Sequence, residues 1–319
     1  MDLPNISVVD TKLATSRESA NRIYAQMLLI RRVEETFLDL FSKGQLNGTV
    51  HTCIGQEACA VGVISSLDID NDVVFSNHRA HGHFLAYSGN VRGLIAEVMG
   101  KHSGICGGIG GSQHLHTKNF YTNGIQGGIV PLAVGAAFAE KSKGGNSIAV
   151  VFLGDGTMGE GTVYEGLNIA SLWSLPLLFV LEDNQYAQTT PKSKAHAGSF
   201  CERANAFGFR SAHLKVTDVF DVIKATREAV DYVRNSVRPF FLHLETYRFS
   251  PHSKGDDYRS ENEIEYYKRQ DPLKKLESTL DPQNVKKITI EIESDLTSIV
   301  AELIKEDETQ LDSLTKLSE

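Results

Sequence analysis

The chain has only four cysteines, Cys53, Cys59, Cys106 and Cys201, and no two of them form a C-x-x-C pair or stand at zinc-site spacing. That usage reads as reduced thiols in a cytoplasmic protein. Basic runs are absent too: 32 Lys and Arg face 40 Asp and Glu, a net charge of −8, which argues against a nucleic-acid-binding face. No apolar run approaches the roughly 20 residues a membrane-spanning helix needs. The opening MDLPNISVVD is acidic and lacks the basic and apolar regions of a secretory leader, so a soluble protein with no membrane partner is expected. Internal repeats and low-complexity segments are also missing.

What the chain does have is Gly154-Asp155-Gly156 at the end of a short apolar run, IAVVFL at 148 to 153. A run that short and continuously apolar suits a strand buried on both faces of a parallel sheet. The next segment, GEGTVYEGLNIAS at 159 to 171, predicts a helix opening with Glu160, and LLFVL at 177 to 181 predicts a second buried strand. The whole is one βαβ unit, in which ligands gather at the carboxyl ends of the strands. Asp155 and the Glu182-Asp183-Asn184 cluster are therefore expected side by side. A carboxylate with an amide oxygen suits Mg²⁺ or Ca²⁺. The backbone N–H groups of Gly156 and Thr157, near a helix N-terminus, suit the anion that such an ion accompanies.

Further along, Ile23, Met27, Ile30, Val33, Phe37 and Phe41 recur at helical spacing and predict an amphipathic helix over 17 to 43. Beyond Asp256 the composition turns polar and helical, with Ile288, Ile292, Leu296, Val300 and Leu303 as a second stripe. The expected organisation is an N-terminal helical arm (1–45), an α/β domain (46–254) and a helical C-terminal extension (255–319). Two more strand-like runs end in polar clusters: VVF at 73 to 75 before SNHRAHG, and FFLHL at 240 to 244 before Glu245, Tyr247 and Ser250-Pro251-His252-Ser253. Four strands thus deliver Arg79, Asp155, Asn184 and His252 to one edge, an arrangement suited to a multiply charged anion.

The spacing of Gly154-Asp155-Gly156 from Asn184, with strand, helix and strand between, resembles the diphosphate-binding motif of thiamine diphosphate enzymes. More narrowly, the chain resembles the alpha subunit of the decarboxylating component of 2-oxoacid dehydrogenases, the pyruvate, branched-chain and acetoin dehydrogenases. The blocks that carry the resemblance are HTCIGQEACAVG (51–62), NHRAHGH (77–83), GGIGGSQHLH (107–116), NFYTNGIQGGIVPLAVGAA (119–137), GDGTMGEGTVYEGLNIASLWSLPLLFVLEDNQYA (154–187) and ETYRFSPHS (245–253). The resemblance implies the thiamine diphosphate-binding α/β fold: a mostly parallel sheet with helices on both faces.

It also implies site residues. Asp155, Asn184 and the carbonyl of Tyr186 match the Mg²⁺ ligands, and Gly156 and Thr157 match backbone contacts to the diphosphate. His78, where many relatives have Tyr, and Arg79 match the diphosphate-contacting position. Gly124 and Gln126 match the segment beside the pyrimidine and thiazolium rings. His252 matches a histidine near the diphosphate and the reaction centre, and His51 one that faces substrate or the lipoyl arm. These two are the expected catalytic residues, with pKa values near neutrality for proton transfer and, when charged, for binding the substrate carboxylate. Glu160 and Glu165 suit charge matching at a helix N-terminus.

The implied activity is decarboxylation of a 2-oxoacid, or cleavage of an acetoin-like substrate, with the acyl group passed to a lipoyl or other carrier. The alternative is carbon–carbon ligation or ketol transfer by the same cofactor. In the split members of this family the Glu that contacts the aminopyrimidine lies on a beta subunit, so a two-alpha, two-beta assembly is expected, with a lipoyl-bearing acyltransferase as a further partner. Three positions depart from the family pattern. Gln126 replaces a bulky apolar residue, Asp183 replaces an Asn, and Ser250 replaces a His present in several relatives.

Overall fold

The computed structural model describes residues 17–309 apart from 47, 254 and 256. The first sixteen residues and the last ten therefore lie outside the described part. The chain begins with α1 (Arg17–Ser42), α2 (Glu57–Ile64), β1 (Val73–Ser76), α3 (His81–Ser88) and α4 (Val91–Val98). A glycine-rich loop leads to β2 (His116–Thr117), β3 (Phe120–Thr122), α5 (Ile129–Lys143) and β4 (Ala149–Gly154). A 3-10 turn (Asp155–Gly159) precedes α6 (Gly161–Leu172), β5 (Leu177–Asp183), β6 (Tyr186–Ala187), β7 (Thr190–Pro191), α7 (Lys192–Ala195) and α8 (Phe200–Ala206). The rest is β8 (Arg210–Lys215), α9 (Val219–Ser236), β9 (Phe240–Glu245), α10 (Glu261–Lys268), α11 (Pro272–Glu277) and α12 (Pro282–Leu303).

Seven strands form one sheet in the order β2-β3-β1-β4-β5-β9-β8, and every pairing but β2 with β3 is parallel. The period-2 geometry of a strand explains why β4 is apolar at every position. Val150 and Phe152 enter one core, with α1, α2, α9 and α12, while Ala149, Val151 and Leu153 enter the other, with α5, α6 and α8. The same alternation continues through β5 and β9. Helices therefore cover both faces, as expected for this fold. Residues of the expected arm (Ile23, Met27, Phe37) and extension (Ile292, Leu296, Leu303) join the first of these cores. No helix among the described residues is long and apolar enough to cross a membrane.

Caps set the helix boundaries. Asp218 accepts the Phe220 N–H at the start of α9, and Asp281, followed by Pro282 at the first turn, does the same for Gln283 in α12. Glu160, expected to open the helix, is the N-cap of α6: it stands in extended conformation just after the 3-10 turn, and its carboxylate accepts the Gly127 N–H at 3.0 Å. A Cβ at residue 127 would lie 2.3 Å from that carboxylate, so only glycine allows the grip.

Candidate cofactor site

The strands β1, β4, β5 and β9 are consecutive neighbours in the sheet, and their carboxyl ends open on one cavity of about 420 Å³. All eleven residues singled out from the sequence line it: His51, His78, Arg79, Gly124, Gln126, Asp155, Gly156, Thr157, Asn184, Tyr186 and His252. Gly154 of β4 pairs with Glu182 of β5, which aligns the two strand ends and sets Asp155 opposite the Asp183-Asn184 corner. The 3-10 turn then approaches β6 so closely that a Cβ at residue 156 would sit 2.9 Å from the Ala187 Cβ.

Asp155 is buried, and its Oδ2 has no hydrogen-bond partner. Burial and the nearby Asp183 charge push its carboxyl up to about 6. Asn184 donates weakly to Gln56 Oε1 at 3.4 Å and accepts the Tyr186 N–H at 3.3 Å. An orphaned carboxylate oxygen, an amide oxygen and a nearby main-chain carbonyl form an all-oxygen donor set that fits Mg²⁺.

The anion side of the cavity rests on two buried guanidinium groups. Arg79 donates to the Thr52 carbonyl at 2.5 Å and to His252 Nδ1 at 3.3 Å. Arg248, 2 % exposed, donates to the carbonyls of Ser250 and of Gln188, the latter a cavity residue. Among the described residues neither pairs with a carboxylate within 4.0 Å, whereas Arg31, equally buried, is held by both Glu57 and Asp271. Burial, then the charges of Arg79 and Arg259, lowers Arg248 to about 9, and burial lowers Arg79 as well. Two buried cations without counter-ions among the described residues, beside one cavity, favour a dianionic occupant. Diphosphate fits that demand.

Three histidines stand together across the cavity. Ring centroids of His51 lie 4.7 Å from those of both His78 and His252, and His78 and His252 are 5.6 Å apart. Burial and the neighbouring Arg79 hold His51 down at about 3 and His78 at about 2. Burial and the Arg79 charge thus act against the near-neutral pKa expected of His51. Held down in this way, the ring favours its neutral form, which donates or accepts one hydrogen bond rather than attracting a carboxylate by charge. Gln113 stands 3.2 Å from its Nδ1 and fixes the ring.

Glu160 and Glu182, the latter in the cluster expected beside Asp155, also line the cavity, and four lining residues were not singled out beforehand: Gln56, Asn77, Gln113 and Gln188. Three of these four lie inside blocks that resemble the family, but as uncharged amides none carries a charge pattern that would mark it. Glu182 pairs with His83 Nε2 at 3.2 Å, and Glu160 is spent on Gly127, so both carboxylates in the wall besides Asp155 already have partners.

The comparisons with known proteins bear on the family of the chain. The family model for the dehydrogenase E1 component matches residues 25–315. Among curated relatives, the pyruvate dehydrogenase E1 component subunit alpha of Zymomonas mobilis is 40% identical over 286 residues, covering 88% of this chain and 80% of that protein. The corresponding subunit of Rhizobium meliloti is 38% identical over 272 residues, 83% of this chain and 78% of its own length. The alpha subunit of the acetoin:2,6-dichlorophenolindophenol oxidoreductase of Bacillus subtilis is also similar, 38% identical over 268 residues, 82% of this chain and 80% of that protein. With a family match over most of its length and relatives well above 30% identity, this chain belongs to the dehydrogenase E1 component family of thiamine diphosphate-dependent oxidoreductases.

Proposed function

We propose that the chain is the alpha subunit of a cytoplasmic 2-oxoacid or acetoin dehydrogenase that works with thiamine diphosphate and Mg²⁺. The observation that carries the proposal is the pairing, across one cavity, of the orphaned Asp155 oxygen with two buried arginines that have no carboxylate partner among the described residues. Asp155, Asn184 and the Tyr186 carbonyl would hold the ion. Arg79, His78, His252 and the backbone of Gly156 and Thr157 would hold the diphosphate, and Gly124 and Gln126 would flank the rings. Bound thiamine diphosphate supplies the carbanion chemistry that breaks the bond beside the substrate carbonyl. The chain's own part is to bind, orient and exclude water, with His51 and His252 placed to pass protons at the reacting end.

The site needs a partner. The resemblance implies that the Glu for the aminopyrimidine comes from a beta subunit; the partners already held by Glu182 and Glu160 and the name alpha subunit borne by the relatives support that reading. An exposed apolar face supports the same reading: Leu132 and Phe138 of α5 and Leu172 and Trp173 at the end of α6 are 49–72% exposed. Such a surface suits a permanent protein contact, here within a two-alpha, two-beta tetramer that delivers the acyl group to a lipoyl-bearing acyltransferase. The test is CO₂ release by the chain co-purified with its beta partner, over a panel of 2-oxoacids with an artificial electron acceptor. Release from one acid, or acetoin-dependent dye reduction, supports the proposal; neither, despite bound cofactor, turns the assignment to ketol transfer.

A further inference from the structure

His51, His78 and His252 arrive from three separate parts of the chain: the loop before α2, the end of β1 and the loop after β9. One ring nitrogen from each lies within 4.8 Å of the other two. A tetrahedral Zn²⁺ with Zn–N bonds of about 2.0–2.1 Å holds its nitrogens roughly 3.3 Å apart, so the cluster has to contract by no more than about 1.5 Å to take the ion. We propose that these three histidines form a binding site for a borderline transition-metal dication such as Zn²⁺, separate from the all-oxygen Mg²⁺ set around Asp155.

Ligand chemistry separates the two sets. Three imidazole nitrogens select zinc, nickel or copper over Mg²⁺, whereas a carboxylate with carbonyl oxygens selects the harder ion. His78 is the member that makes the trio, since a Tyr at this position, as in many relatives, leaves only two imidazoles. Neither of its ring nitrogens completes a hydrogen bond, although the Gln126 side chain lies near enough to bias the ring. Around the other rings the present contacts are donors, Gln113 Nε2 to His51 Nδ1 at 3.2 Å and Arg79 to His252 Nδ1 at 3.3 Å, so ligation through Nε2 requires both rings to shift their proton to Nδ1 and to exchange these donors for acceptors. Arg79 works against the ion by its charge, and its guanidinium has to release His252 for that ring to ligate through Nε2 with a proton on Nδ1. The site is therefore a moderate one, filled when zinc is plentiful and the cofactor absent. If the cavity holds thiamine diphosphate as proposed above, the metal and the cofactor exclude each other, and zinc acts as a competitive block of cofactor loading.

The experiment is Zn²⁺ titration calorimetry, with Co²⁺ absorption as a report on tetrahedral nitrogen ligation, on the full chain with its beta partner after removal of cofactor and Mg²⁺. It is run on the native protein, His78→Tyr and Asp155→Ala. The expected result is one ion per alpha chain, bound at least about tenfold to a hundredfold more weakly in His78→Tyr and unchanged in Asp155→Ala. Loss of binding in Asp155→Ala with retention in His78→Tyr would place zinc in the oxygen site and overturn the proposal. So would binding indifferent to both substitutions, which points to thiols such as Cys106 or Cys201, or no binding at all. None of these outcomes depends on whether thiamine diphosphate binds, so the two proposals fail separately.

Discussion

Lys192 reaches back across the loop that follows Asn184 and sets its Nζ 2.7 Å from Oδ2 of Asp183, a carboxylate with no solvent exposure. His243 of β9 approaches the same oxygen at 2.9 Å. Burial alone would raise the Asp183 carboxyl, but the hydrogen bonds from His243 and Lys192 outweigh it and hold the group below its ordinary range. The residue that departs from the family's Asn is thus a charged anchor. It ties the corner bearing Asn184 and Tyr186 to the neighbouring strand on one side and to α7 on the other.

Lys192→Met should loosen that corner. The apolar stem is kept, while one charge-assisted hydrogen bond to a buried carboxylate is lost, at a cost of about 1–2 kcal/mol. His243 still partners Asp183, so the chain should fold. The expected effect is Mg²⁺–thiamine diphosphate affinity weakened about tenfold, with a modest fall in melting temperature. Calorimetry of the assembled enzyme checks it; an unchanged affinity would show that the corner is held without Lys192.

His243 predicts a pH dependence. Burial lowers its pKa, but contacts with Asp183 and the Cys201 thiol outweigh burial, and the folded-state value stands above the ordinary 6.5. A histidine raised on folding contributes stability that is complete below its unfolded pKa and fades as pH rises through the folded one. The stability difference between the native protein and His243→Gln should therefore be largest near pH 6 and shrink toward pH 9. Urea unfolding of both proteins across that range measures it, and a difference that widens with pH would contradict the charged pair.

Asp155 carries the opposite sense of cost. Its carboxyl rises from 3.8 to about 6 on folding in the absence of a metal, so keeping it ionised at neutral pH costs about 3 kcal/mol. The sign is clear: below pH 3.8 both states are protonated and no penalty exists, and above pH 6 the whole penalty is present. Asp155→Asn should stabilise the metal-free protein at pH 7–8 by about 1–3 kcal/mol while abolishing Mg²⁺ binding. The native site, in turn, should bind Mg²⁺ about tenfold more weakly at pH 5 than at pH 7.5. Unfolding in the presence of a chelator, followed by Mg²⁺ titration, reads both effects. A destabilised Asp155→Asn variant would show that the carboxylate has a partner in the folded chain.

How legible this was in the sequence depended on the physics of each element. The βαβ unit around Asp155 could be read because β4 and β5 are buried on both faces, and continuous apolar runs leave few other readings. β8 (Arg210–Lys215) gave no such signal: it is an edge strand, half exposed, and its sequence RSAHLK carries no apolar run. β3 is only three residues long, held by pairing with β1 rather than by its own pattern. The site residues were found largely because the motif blocks resemble a family, and the sheet order then brought four strand ends together. The pKa of His51 could not be read that way, because it depends on burial beside Arg79, a residue 28 positions away in the chain. The contact between His51 and His78 was equally hidden, since sequence separation says nothing about loops that meet over a sheet edge.

Glu97, at the end of α4, offers the last test. It is fully buried and accepts three backbone N–H groups, from Cys106 at 2.7 Å, Gly108 at 2.9 Å and Gly111 at 3.0 Å. The loop can wrap a side chain this tightly because of its glycines: a Cβ at residue 104 would lie 2.5 Å from the Glu97 carboxylate. The wrapped loop ends at Ser112, 2.9 Å from His81 Nε2, and Gln113, which fixes His51. Glu97 thus positions His51 without touching the cavity. Glu97→Gln keeps the shape but gives up charge-assisted bonds and turns one acceptor into a donor facing an N–H. The expected cost is about 2–4 kcal/mol of loop stability. Amide exchange at residues 106, 108 and 111 should rise sharply, and kcat of the assembled enzyme should fall while Mg²⁺–thiamine diphosphate affinity changes little. Reduced kcat without faster exchange would mean that Glu97 acts on the site by a route other than this loop.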